Sequence, residues 1–259
     1  MILEYKGSSL FYEEFGKGSA VVLLHGFLEN SEMWKAVIPE LSKTHRVITI
    51  DLLGHGKTEC LGYVHSMKMM AEAVHAILKS LRLRKVMFVG HSMGGYVSLA
   101  FVEKYPKMVK GLCLMNSTAQ ADDEERKQLR ARANKMVQTN FENMVRMSVG
   151  NLFKPESLAL FSKEVAWVRE EALKTPVQGY IAGMEGMRIR PDRTSILHTI
   201  KKVFYIIGKF DPVLDADSVI QEAKSVNARY TVMNRGHMSH IENKEELILS
   251  LNDFVNSYR

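Results

Sequence analysis

Six short apolar runs decide what this chain can fold into. Val21-Val22-Leu23-Leu24, Val47-Ile48-Thr49-Ile50, Val86-Met87-Phe88-Val89, Leu112-Cys113-Leu114-Met115, Val203-Phe204-Tyr205-Ile206-Ile207 and Tyr230-Thr231-Val232-Met233 carry few polar side chains. A strand apolar at every position must be covered on both faces, as parallel strands are. Helix-patterned segments separate the runs: Ser31 to Lys43, Met67 to Leu81, Gly95 to Tyr105, Ala216 to Ser225 and Lys244 to Tyr258. The repetition predicts right-handed crossovers and a doubly wound, mostly parallel sheet of the α/β class. Ahead of it, Ile2 to Tyr5 and Ser9 to Phe15 alternate around Gly7 and Gly16, the pattern of a short antiparallel pair.

From Ser117 to about Leu197 no strand-like run occurs. Helical patterns fill the interval instead, around Glu124 to Val137, Phe141 to Leu152, Ser157 to Leu173 and Val177 to Met187. It is too long for an irregular loop. The expected organisation is therefore a core of residues 1–116 and 198–259 and an inserted helical cap, 117–197. With 259 residues, 46% of them hydrophobic, the chain can bury one large core.

Composition removes several functional classes. No stretch of about 18 apolar residues exists, and Met1-Ile2-Leu3-Glu4-Tyr5 does not begin a secretory signal. Two cysteines, Cys60 and Cys113, are too few for a disulfide framework, so a reducing cytoplasm is the expected compartment. The net charge of +6 is spread among interleaved acids and bases, without the basic block that nucleic-acid binding requires. The expected partner is a small-molecule substrate, with no nucleic acid and no membrane. Self-association stays open, and an acyl-carrier protein is compatible with the positive charge.

In an open sheet of this kind, chemistry collects beyond the carboxyl ends of the strands. Gly90-His91-Ser92-Met93-Gly94 follows the third apolar run and precedes a helix pattern. Glycines two residues either side of a serine permit a sharp strand-to-helix turn that exposes the hydroxyl. Gly208-Lys209-Phe210-Asp211-Pro212 and Arg235-Gly236-His237 each follow a later run, and His25-Gly26-Phe27 follows the first. A serine, an acid and a histidine thus occur in the order Ser92, Asp211, His237. Asp215 and Asp217 compete with Asp211, but their spacing suits the start of the next helix. His240 competes with His237 and reads as a supporting group, as do His25, His55 and His91. Neither the histidines nor the cysteines have zinc spacing, and no phosphate-loop motif is present, so no metal or cofactor is expected.

The order and placement of Ser92, Asp211 and His237 resemble the α/β-hydrolase family. That resemblance implies that Ser92 attacks a carbonyl carbon, His237 moves the proton and Asp211 orients the imidazole. It implies an oxyanion hole made by the backbone N–H groups of Phe27 and Met93. Relatives with an aspartate nucleophile include haloalkane dehalogenases and epoxide hydrolases; a serine favours acyl chemistry. The expected function is cleavage of a small or medium carboxylic ester or lactone through an acyl-enzyme. Carbon–carbon bond hydrolases and a menaquinone-pathway lyase use the same triad, and a ligand receptor can be built on the same scaffold. Phe27, Met93, Phe141, Met144, Trp167 and Met184 are the expected substrate-lining side chains. Arg130, Arg132, Arg188 and Arg190 offer cations that can orient a carboxylate.

Overall fold

The computed structural model describes residues 1–257. Eight strands form one sheet: β1 (Ile2–Tyr5), β2 (Ser8–Phe15), β3 (Ser19–Leu24), β4 (His45–Ile50), β5 (Val86–His91), β6 (Val109–Met115), β7 (Val203–Gly208) and β8 (Arg229–Met233). Their order is β1-β2-β4-β3-β5-β6-β7-β8. The pairs β1/β2 and β2/β4 are antiparallel, and all others are parallel. Each apolar run is a strand of the parallel part, as its composition requires.

Alternate side chains of each strand enter opposite core layers. Val22, Leu24, Ile48, Phe88, Leu112 and Tyr205 pack with α2 (Met67–Ser80), α3 (Met93–Lys104) and α10 (Ala216–Ser225). Val21, Leu23, Val47, Met87, Cys113 and Ile206 pack on the other face with Trp34, with Leu41 of α1 (Ile38–Leu41) and with Leu251 and Phe254 of α12 (Lys244–Asn256). Helix α2 shows why these segments coil. Ser66 caps it by accepting the Met69 N–H, and Met67, Met70, Ala71, Val74, Ile77 and Leu78 bury one stripe.

Two expected helices are broken. Ser31 to Lys43 is a 3-10 turn (Ser31–Trp34) followed by α1, because Pro39 lacks an N–H and fits only a helix's first turn. Ser157 to Leu173 is split into α6 (Pro155–Leu160) and α7 (Ser162–Leu173) at Phe161, whose φ of −112° and ψ of 34° leave the helical region. The last helix stops at Asn256, and Tyr258 lies outside the described residues.

Between β6 and β7 lie α4 (Glu124–Met136), α5 (Phe141–Gly150), α6, α7, α8 (Val177–Arg188) and α9 (Thr194–Leu197). These helices are tied to the loops at the carboxyl ends of the strands. The His65 N–H donates to the Ala182 carbonyl at 2.9 Å, the His237 N–H to the Leu152 carbonyl at 3.2 Å, and Asn30 Nδ2 to Glu171 Oε2 at 3.1 Å. Helix α11 (Ser239–Glu242) follows the loop after β8. Among the described residues no helix is long and apolar enough to cross a membrane.

Candidate active site

Strand β5 ends at His91 and α3 begins at Met93, so Ser92 alone makes the turn. Its φ of 48° and ψ of −113° are strained for a side-chain-bearing residue. The surroundings hold it there. The Ser92 N–H donates to the Met115 carbonyl at 3.0 Å, and the Ser92 carbonyl accepts from Ser117 Oγ at 2.8 Å. A Cβ on Gly90 would lie 2.5 Å from the Gly94 carbonyl, and one on Gly94 2.3 Å from the Leu24 carbonyl oxygen. Ser92 stays partly exposed between buried neighbours and borders a cavity of about 90 Å³ shared with His237.

Asp211 sits in the loop after β7. Its Oδ1 accepts the N–H groups of Val213 and Leu214 at 2.8 and 3.1 Å; its Oδ2 accepts Asn116 Nδ2 at 3.1 Å and meets His237 Nδ1 at 2.7 Å. Burial pushes this carboxyl's pKa up, but His237 and the donated hydrogen bonds outweigh it and hold the pKa below the usual value. The competing acids are engaged elsewhere. Asp215 caps α10 by accepting the Ser218 N–H, and Asp217 lies in that helix's first turn.

Behind His237 is a second acid–imidazole pair that the sequence did not mark. Glu29 Oε2 meets His91 Nδ1 at 2.7 Å and accepts the Gly26 N–H at 2.6 Å; His91 Nε2 donates to the His237 carbonyl at 3.0 Å. Both partners of the His91 ring are oxygen acceptors, so the ring carries two protons opposite an ionised carboxylate. Burial opposes both charges, yet Glu29 is held at about 2 and His91 is raised, each by the other's charge. His240 stacks edge-on to His91 at 5.7 Å, and burial lowers it to about 4. No local pattern announces Glu29, because its partner lies 62 residues away. The available signal was an acid two residues beyond the His25-Gly26-Phe27 loop.

The other histidines brace loops. His25 Nε2 accepts the Leu52 N–H at 2.8 Å, and His55 Nδ1 contacts the Leu53 carbonyl at 3.1 Å. Burial lowers both, His55 to about 3.

Of the side chains expected to line the cavity, Phe27 does, and its ring meets those of His55 and Tyr180 edge-on at 5.6 and 5.0 Å. The other five are not among the residues that border this cavity. Met93 and Met144 are in the core, Phe141 packs against Tyr180, and the Met184 sulfur lies 3.3 Å from Arg130 Nη1. Trp167 borders a different cavity of about 580 Å³, with Lys35 Nζ 3.9 Å above its ring. Helical spacing identifies a buried face but not which residues of it meet a void. Leu152, Val213, Tyr96 and Arg130 complete much of the wall near Ser92.

The chain belongs to the α/β-hydrolase fold family, whose model matches residues 19–244. Over its whole length it is similar to several members. A pyrrolizixenacetamide deacetylase of Xenorhabdus hominickii is 27% identical over 247 residues, 93% of this chain and 92% of that protein. A 2-hydroxy-6-oxo-6-(2'-aminophenyl)hexa-2,4-dienoic acid hydrolase of Metapseudomonas resinovorans is 27% identical over 91% of this chain and 83% of its own. A thermophilic esterase from Thermogutta terrifontis, solved with malate bound, superposes with a TM-score of 0.93 at 28% identity, covering 99% of this chain and 97% of that one.

Proposed function

We propose that the protein is a serine hydrolase that cleaves a small carboxylic ester or lactone through an acyl-enzyme. The observation that carries this reading is the Asp211–His237 pair, 2.7 Å apart, whose imidazole borders the same cavity as the strained Ser92 turn. Asp211 fixes the imidazole with Nδ1–H toward the carboxylate, leaving Nε2 to accept the Ser92 proton as Oγ attacks the carbonyl carbon. The resulting oxyanion is held by the N–H of Met93, which opens α3 and has no helical acceptor, and by the N–H of Phe27. His237 then protonates the leaving group, and water releases the acyl group by the reverse sequence. The helices α4 to α9 act as the cap over this site, consistent with their ties to the strand-end loops. A cavity of about 90 Å³ favours short acyl groups.

A fluorophosphonate probe should label Ser92, and p-nitrophenyl acetate should give a burst of alcohol product. In Ser92→Ala both should vanish, with kcat reduced by at least about a thousandfold. Equal turnover by the variant would sink the reading, and an intact bound ligand with no labelling would indicate a receptor. The likeness to the Metapseudomonas enzyme supports a second reading, carbon–carbon bond hydrolysis by the same residues. Turnover of a vinylogous diketone with no activity on esters would select it.

A further inference from the structure

The wall facing Ser92 carries a positive charge with an unfilled donor. Arg130, from α4, borders the cavity. Its Nε donates to Asp122 Oδ2 at 2.5 Å, whereas its Nη1 meets only thioether sulfurs, Met184 at 3.3 Å and Met187 at 3.6 Å. Thioethers are weak acceptors, so this edge of the guanidinium is under-used. Asp122, with no exposed side-chain surface, does not neutralise it alone, because Arg190 Nη1 shares the same carboxylate at 2.8 Å. Arg190 donates to the Met187 and Gln120 carbonyls and lies 4.0 Å over the Tyr96 ring, with its Nε buried and without a hydrogen-bond partner. Arg190 does not border the Ser92 cavity, whereas Arg130 does, so Arg130 Nη1 is the under-used donor at this wall.

Two hydroxyls accompany it. Ser148, from α5, borders the same cavity. The Tyr180 hydroxyl, from α8, is buried without a well-formed hydrogen bond, beside Ser148 and within the field of Arg130. The remaining acid on this wall, Glu29, is paired with His91. A guanidinium edge and the Ser148 hydroxyl, contributed by two helices, suit a planar anion with two oxygen acceptors.

We propose that Arg130, assisted by Ser148, binds a carboxylate carried by the substrate, so that the enzyme prefers small carboxylate-bearing esters or lactones to neutral ones of the same shape. The proposal rests on Ser92 being the attacking group. The small cavity confines such a substrate to a short carbon chain between its reactive carbonyl and its carboxylate.

Monomethyl succinate and methyl succinamate, its neutral isostere, give the test. For the wild type the expected kcat/KM ratio favours the anion by about tenfold or more, the worth of a charge-assisted hydrogen bond. Arg130→Gln should bring the ratio to about one, chiefly through KM of the anion, and Arg130→Lys should restore part of it. A merely structural arginine would change both substrates alike and leave the ratio standing. A wild-type ratio near or below one overturns the proposal without any variant having to fold. Calorimetric binding of monomethyl succinate to Ser92→Ala separates the two readings. Arg130-dependent binding in a protein whose wild type neither turns over ester nor takes the probe would sustain the carboxylate site and refute the hydrolase. Ester turnover without anion preference would do the reverse.

Discussion

At the scale of single residues, the turn at Ser92 is held by atoms that cannot move. The groups nearest a Cβ on Gly90 or Gly94 are backbone carbonyls, not flexible side chains. Gly94→Ala should therefore cost about 1–3 kcal/mol in unfolding free energy and lower activity further by tilting Ser92. Denaturant midpoints with a p-nitrophenyl acetate assay check this, and a fully active, equally stable variant would contradict it. The placement of Ser92, Asp211 and His237 beyond strand ends was legible in the sequence because each lies a few residues past an apolar run, where topology leaves few choices. Glu29 was not, since an acid in a loop signals nothing until the fold brings His91 to it.

At the scale of elements, α8 is seated on the core by glycines. A Cβ on Gly179 would lie 2.1 Å from the Gly54 carbonyl oxygen, and one on Gly186 1.8 Å from that of His65. Gly179→Ala should lift α8, lowering stability by about 1–3 kcal/mol and enlarging the space over Ser92. An ester panel of increasing acyl length should then shift toward longer chains; an unchanged preference would show that α8 does not set the depth. The absence of strand-like runs between Ser117 and Leu197 made these helices visible in the sequence. Their orientation was not, because it depends on contacts such as Gly179 against Gly54, far apart in the chain. The breaks at Pro39 and Phe161 have a local origin instead, and the apolar stripe that runs across both positions does not register them.

At the scale of the whole molecule, buried imidazoles set how stability varies with pH. Burial lowers His55 to about 3 and His65 and His240 to about 4, against 6.5 for a free imidazole. Between pH 6.5 and about 4 the unfolded chain holds these protons and the folded one does not, so stability falls as pH falls, by about 1.4 kcal/mol per unit for each. The Glu29–His91 pair acts differently. The Glu29 contribution is complete above pH 4.5 and is lost toward 2, whereas that of His91 is complete below 6.5 and is lost as pH rises through its raised pKa. Urea midpoints between pH 4 and 9 should therefore rise to a maximum just above 6.5 and then decline. A flat profile below 6.5 would show that these rings are solvated.

The sheet order has a temporal consequence. Strands β7 and β8, whose following loops carry Asp211 and His237, are made last and lie at one margin of the sheet, beyond β6. Under the proposed mechanism, a growing polypeptide on the ribosome can bend at Ser92 long before His237, its proposed base, has been made. Enzymatic competence should thus appear abruptly, only once the final quarter of the chain has emerged and docked, so that premature synthesis products are inert toward acyl groups.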